Sequence, residues 1–215
     1  YEGFRPYLEH YVMHLPDAVD DLGEVSGYDV YRAMAAHQAA HIAYTSEPLS
    51  AEQLSQAHLF FIGLIEDARV EWNAIQAFPG LQKLWGSLLT QEHTTTLEHP
   101  TVEILERFAI GLIDPTVVLD DPSLDQLLQK FHDQVSLSPL SNSISWNLGL
   151  ELYHHFAATQ DVPSLRILNT IRIPYRDDNR FIWEFEEFNW ETHGAQYIPA
   201  SQRQKPVPGH YPAPP

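Results

Sequence analysis

Two histidines four residues apart, His37 and His41 in AMAAHQAAHIAY, and a charged run, Glu66, Asp67, Arg69 and Glu71 in FFIGLIEDARVEWNAI, have the types and spacing to do chemistry. On a helix, a separation of four residues leaves two side chains within about 40° of each other, so both rings can face one ion. A carboxylate from the next helix would complete a His, His, Glu zinc site, with water as the fourth ligand. Peptidase sites of this type carry a glutamate directly after the first histidine, which takes a proton from the metal-bound water. Gln38 stands at that position and cannot do so. The clusters look like a zinc-peptidase site without its base, and hydrolysis would need Asp67 or Glu71 as a substitute.

The elements that must hold these residues follow from hydrophobic spacing. His37 and His41 share a helical face with Val30, Met34 and Tyr44, so both point inward. Glu66 shares its face with Leu59, Ile62, Val70 and Asn73, while Asp67 and Glu71 lie on an adjacent face. The short connection over 46–49 makes the two helices antiparallel neighbours and brings Glu66 toward the histidines. His37, His41 and Glu66 are therefore the candidate ligands for zinc or another divalent ion, with Asp67, Arg69 and Glu71 in supporting positions. A second reading needs no metal: Glu66 accepts from His41 or pairs with Arg69 in a buried polar network.

Apolar residues recur mainly at three- and four-residue intervals, which predicts an all-α, multi-helix globular domain. With a metal held, its core would be a degenerate zincin-like one. Helices are expected over 6–20, 28–45, about 50–77, 82–89, 101–113, 123–135, 143–158 and 164–170, with a last short helix over 181–188. Ser50 followed by Gln53 reads as a capping box for the third. Phe78, Pro79 and Gly80 end it, and Asp-Pro and Ser-Pro pairs supply later turns. The final stretch, 199–215, has six prolines in 17 residues and reads as an extended linker or tail beyond a domain over 1–198.

With 12 Lys and Arg against 29 Asp and Glu, the formal charge is −17, which disfavours nucleic acid and anionic membranes as partners. No apolar run reaches the roughly 20 residues that a membrane-spanning helix needs. Cysteine is absent, so any metal must be held by nitrogen or oxygen. A cytoplasmic location is expected, with no signal-peptide pattern at the start. Because the first residue is Tyr1 rather than methionine, we expect the natural N-terminus to lie upstream. Phosphate-loop, dinucleotide-binding and nucleophile-elbow motifs are missing from the sequence.

His154 and His155 are adjacent on a predicted helix, about 100° apart, and read as a structural pair. His93 and His99, with Glu92 and Glu98, lie in a loop without metal spacing. Arg176, Asp177, Asp178 and Arg180 precede the aromatic residues Trp183, Phe185, Phe188 and Trp190. One reading makes Asp178 or Asn179 the cap of the helix at Phe181, with salt bridges around it. The other makes Arg176, Asp177, Asp178, Arg180 and Trp183 a partner-docking surface.

The strings HQAAH, FIGLIEDARVEWNAIQAFPGLQKLW and IPYRDDNRFIWEF resemble the N-terminal region of the NorD and CbbO family, over roughly residues 28–190. Members of that family activate nitric oxide reductase or rubisco. The resemblance implies an accessory domain, not an enzyme, that acts as adaptor to a MoxR-type AAA+ ATPase hexamer. It also implies that the target is held by a C-terminal von Willebrand factor A domain, reached through the proline-rich linker. The Asp-x-Ser-x-Ser motif of such a domain does not occur in these 215 residues. A metal-dependent hydrolase with a His, His, Glu site is the alternative.

Overall fold

The computed structural model describes residues 5–90, 100–158, 162, 164, 168, 171 and 173–184, and the backbone of 187–189 and 196–198. Among the described residues six α-helices carry the fold: α1 (Gly27–Tyr44), α2 (Gln56–Ala77), α3 (Gly80–Leu89), α4 (Pro100–Ile113), α5 (Pro122–Leu137) and α6 (Ser143–Ala158). The all-α class expected from spacing holds, and apart from the start of α2 these helices begin and end close to their predicted limits. Their ends follow local chemistry. The Ser26 hydroxyl accepts from the Asp29 N–H to start α1, and the Asp121 carboxylate accepts from Ser123 and Leu124 ahead of Pro122 to start α5.

Three predicted elements are corrected. The segment read as a helix over 6–20 is a hairpin of β1 (Tyr7–Glu9) and β2 (Val12–His14). His10 and Tyr11 both take positive φ, as a tight two-residue hairpin turn requires. The seven-residue spacing of Tyr7 and His14 is a cross-strand pair with rings stacked at 4.2 Å, not two turns of helix. Pro16 would in any case have broken that helix.

The capping box belongs to Ser55 and His58, not Ser50 and Gln53. Ser50 is in β3 (Leu49–Ser50), and Gln53 adopts a positive φ. The last predicted helix is a single 3₁₀ turn, Arg180–Ile182, running into β4 (Trp183–Glu184), which pairs parallel with β3. Strands β5 (Glu187–Asn189) and β6 (Gln196–Ile198) pair antiparallel. Of the helix expected over 164–170, only Ser164 and Leu168 are described, and the Leu168 N–H donates to the Ser164 carbonyl. The tail over 199–215, the loop histidines His93 and His99, and the side chains of Phe185, Phe188 and Trp190 lie outside the described residues.

Helix α2 runs between two apolar clusters. One joins Phe61, Ile65, Phe108, Leu112, Phe131 and Leu152; the other joins Ala33, Val70, Trp85, Leu88 and Tyr175. Every residue from Phe61 to Glu71 is buried, so this helix has no solvent face along three turns. Helix α6 packs tightly on it at Gly149, where an added Cβ would stand 2.5 Å from the Ile62 Cα. Gly149→Ala should therefore cost about 1–3 kcal/mol and lower the melting temperature by roughly 3–10 °C. Gly86→Ala, where a Cβ meets nothing within 4 Å, should leave it unchanged or raise it slightly, as thermal unfolding would show.

Candidate metal centre

Helices α1 and α2 pack antiparallel through polar side chains: His41 faces Asp67, and His37, one turn earlier, faces Glu71, one turn later. His41 Nε2 lies 3.2 Å from Asp67 Oδ1, and His37 Nε2 lies 3.8 Å from the same oxygen. Asp177, from the segment after α6, reaches the same point. His37, His41, Asp67 and Asp177 are all buried, and one potential ligand atom from each falls within 4.8 Å of the others. This group can hold a metal ion. Ligands of a tetrahedral zinc are about 3.3 Å apart, so rotamer-scale movement separates the two geometries.

The outer atoms of both histidines are set for this. His41 Nδ1 contacts Thr45 Oγ1 at 3.1 Å, and His37 Nδ1 lies 3.0 Å from Glu71 Oε1, which leaves each Nε2 facing the centre. The Glu71 contact is close but poorly aligned. Neither nitrogen of His37, nor Asp177 Oδ2, has a hydrogen-bond partner among the described residues. Buried polar atoms without partners are costly, and of these His37 Nε2 faces the centre.

Arg176 provides the nearby positive charge, donating from Nε and Nη2 to the two Glu71 oxygens at 2.8 and 2.6 Å, with Nη1 3.7 Å from Asp67 Oδ2. Burial alone would raise the Asp67 pKa, yet its hydrogen bond to His41 and the charge of Arg176 hold it at about 2. Glu71 is also lowered, burial being outweighed by Arg176 and His37. His41 is raised: burial opposes its charge, but the hydrogen bond to Asp67 and the charges of Asp177, Asp67 and Glu66 prevail. Asn179, in a left-handed conformation, donates from Nδ2 to Asp67 Oδ2 at 3.2 Å. Gly63 leaves it room, since a Cβ there would be 2.9 Å from that nitrogen.

Glu66 is not in the four-residue group. It receives Arg69 at both oxygens, 2.7 and 2.8 Å, and hydroxyls from Ser145 at 2.6 Å and Thr45 at 3.3 Å. Arg69 also donates to the carbonyls of Pro139 and Tyr44, tying α2 to the turn before α6 and to the end of α1. The pairing of Glu66 with Arg69 read from the sequence is therefore present, and Asp67 has the place beside the histidines. Assignment by helical face failed because α2 is buried all round, so each acidic residue meets a different neighbour.

The five residues grouped as a docking surface separate. Arg176 and Asp177 are 3% and 1% exposed and cannot present themselves to a partner. Asp178 and Arg180 form an outer ion pair, and Arg180 also covers the Tyr7 ring at 4.0 Å. Of the two predicted caps, Asp178 accepts from the Arg180 N–H at 3.1 Å at the start of the 3₁₀ turn, while the Asn179 side chain goes to Asp67. Trp183 is partly exposed beside a cleft. His155 lies 3.3 Å from Asp121, in keeping with a structural role. The sequence signal for Asp177 is its place in a charged cluster of four, which reads either as a capped, salt-bridged turn or as a docking surface.

Comparisons with protein-family models, curated proteins and solved structures return no match. The site therefore rests on its geometry. Arg176→Met strands a buried Glu71 carboxylate and should cost about 3–5 kcal/mol. Adding Glu71→Leu should recover more than about 1 kcal/mol of that loss in a denaturant-unfolding cycle. Additive costs would mean that the pair is not coupled.

Proposed function

We propose that this chain is an accessory domain braced by a divalent metal ion, most consistent with zinc, at His37, His41, Asp67 and Asp177. In this reading it is the ATPase-facing helical part of a NorD- or CbbO-type activator. It would act in the cytoplasm, passing ATP-driven motion of a MoxR-type AAA+ hexamer to a target enzyme such as rubisco or nitric oxide reductase. A von Willebrand factor A domain would hold that target. The observation that carries the reading is convergence: the three separated segments that bear the resemblance supply His37 and His41, Asp67 and Glu71, and Arg176 and Asp177 to one buried cluster.

Charge supports the ion. With both imidazoles neutral, as ligation requires, three buried carboxylates, Asp67, Glu71 and Asp177, stand against one guanidinium, Arg176, a formal balance of −2 that a divalent cation neutralises. Two imidazoles and two carboxylates without sulfur suit zinc, and the unpartnered atoms of His37 and Asp177 would gain a partner. Such an ion would supply cross-linking of α1, α2 and the 177 segment. Hydrolysis is the weaker alternative. Gln38 is buried and carries no carboxylate, and Asp67 and Glu71 are engaged by His41 and Arg176. No helix among the described residues is long and apolar enough to cross a membrane.

Elemental analysis of protein purified without chelator should find about one divalent ion per chain. His37→Ala and Asp177→Ala should lose it, while Glu66→Gln should keep it. Metal-free wild-type protein purified from zinc-supplemented medium would end the metal reading. Separately, a MoxR-type ATPase co-expressed with the chain should co-purify with it in the presence of ATP. Failure to associate would count against the adaptor reading without bearing on the ion.

A further inference from the structure

Asp67 from α2 and Asp177 from the segment after α6 share one partner. Asn179 donates its backbone N–H to Asp177 Oδ1 at 2.9 Å and its side-chain Nδ2 to Asp67 Oδ2 at 3.2 Å. An ionised carboxylate only accepts, so the amide must present its nitrogen to Asp67. One oxygen of each acid is thereby occupied. Left over are Asp67 Oδ1, 3.2 and 3.8 Å from the Nε2 atoms of His41 and His37, and Asp177 Oδ2, buried without a partner among the described residues.

Two local features allow this double contact. Asn179 has φ 61° and ψ 11°, a left-handed conformation that asparagine tolerates better than most residues. In it, the residue two places after Asp177 offers that acid a backbone N–H while its side chain reaches α2. Gly63, one turn before Asp67, supplies the room, because an added Cβ would stand 2.9 Å from Asn179 Nδ2 and displace the amide. Arg176 Nη1, at 3.7 Å from Asp67 Oδ2, is beyond hydrogen-bonding distance. Asn179 is therefore the hydrogen-bond donor to that oxygen among the described residues.

The number of oxygens an acid offers decides which ions fit. Two carboxylates with one free oxygen each, together with two imidazoles, make four ligands, the number that tetrahedral zinc takes. With Oδ2 released, Asp67 can bind through both oxygens, which suits ions of higher coordination and oxygen preference such as manganese. We propose that Asn179, seated by Gly63, is a positioning residue that holds both acids to one free oxygen and so sets the preference of the centre for zinc over larger ions. This rests on the metal reading above and names what selects the ion.

The test measures zinc, cobalt and manganese binding to the full chain and to Asn179→Gly and Gly63→Ala, with Gly86→Ala as a control whose Cβ meets nothing. Glycine adopts the left-handed conformation freely and keeps the N–H to Asp177, so the first variant loses only the amide. The second leaves residue 179 unchanged and moves its amide, and alanine is the better helix former, so thermal unfolding should show both variants folded. Zinc affinity should fall about 10–100-fold in each, with a smaller loss for manganese, so the zinc-to-manganese preference drops. The visible bands of the cobalt form should weaken as it passes from tetrahedral to higher coordination, while Gly86→Ala matches the wild type. If the wild type binds zinc and both variants keep its ion preference and cobalt spectrum, the proposal is overturned and the metal reading stands. Equal losses for zinc and manganese with an unchanged cobalt spectrum would overturn it as well. A wild type that binds none of the three ions would end both.

Discussion

The structure depends on matching buried negative charge along one helix. Helix α2 places Glu66, Asp67 and Glu71 in the interior of the domain, and an uncompensated carboxylate there is far costlier than an ordinary packing defect. Each is met from a different direction. Arg69 turns back on Glu66 from the same helix, Arg176 arrives from the end of the described core to take Glu71, and the histidines of α1 come to Asp67. The segment after α6 is thus fixed to the centre by charge as well as by the packing of Tyr175 on Trp85.

That requirement also orders the periphery. Once Arg176 and Asp177 are drawn inward, the residues after them must turn over the surface at Asn179, whose left-handed backbone makes the corner. Arg180 then lies on Tyr7 and Phe181 meets Tyr11, which anchors the N-terminal hairpin. The strand that follows pairs with the α1–α2 connection through Trp183 and Glu184. Elements far apart in the chain are brought together by the same buried cluster.

Two polar networks share α2 and serve different ends. The Glu66 and Arg69 network is saturated: every Arg69 nitrogen donates, and the Glu66 oxygens receive guanidinium and hydroxyl donors. The neighbouring group around Asp67 is not, since His37 and Asp177 retain unpartnered atoms and negative charge exceeds positive. Saturation separates a structural lock from a site able to take a cation. Arg176 belongs to that second group: its Nη1 makes no hydrogen bond and lies 3.7 Å from Asp67 Oδ2.

Five of the six helices, their limits, the inward direction of His37 and His41, and the lack of a base at Gln38 were determined by the sequence, because periodicity, caps and prolines act within a few residues. The start of α2 was misread for a local reason as well: Ser55 with His58 forms a capping box in a spelling the usual Ser-x-x-Glu or Gln pattern does not include. Tertiary structure alone decided that Asp67 and not Glu66 joins the histidines, that Asp177 and Arg176 are interior, and that Tyr7 and His14 are partners across a hairpin. Helical-face arithmetic assumes one buried side, and α2, enclosed on every side, has none to distinguish. Which neighbour each carboxylate meets is set by packing among segments up to a hundred residues apart, where the charge balance of the whole cluster, and no local preference, selects the arrangement.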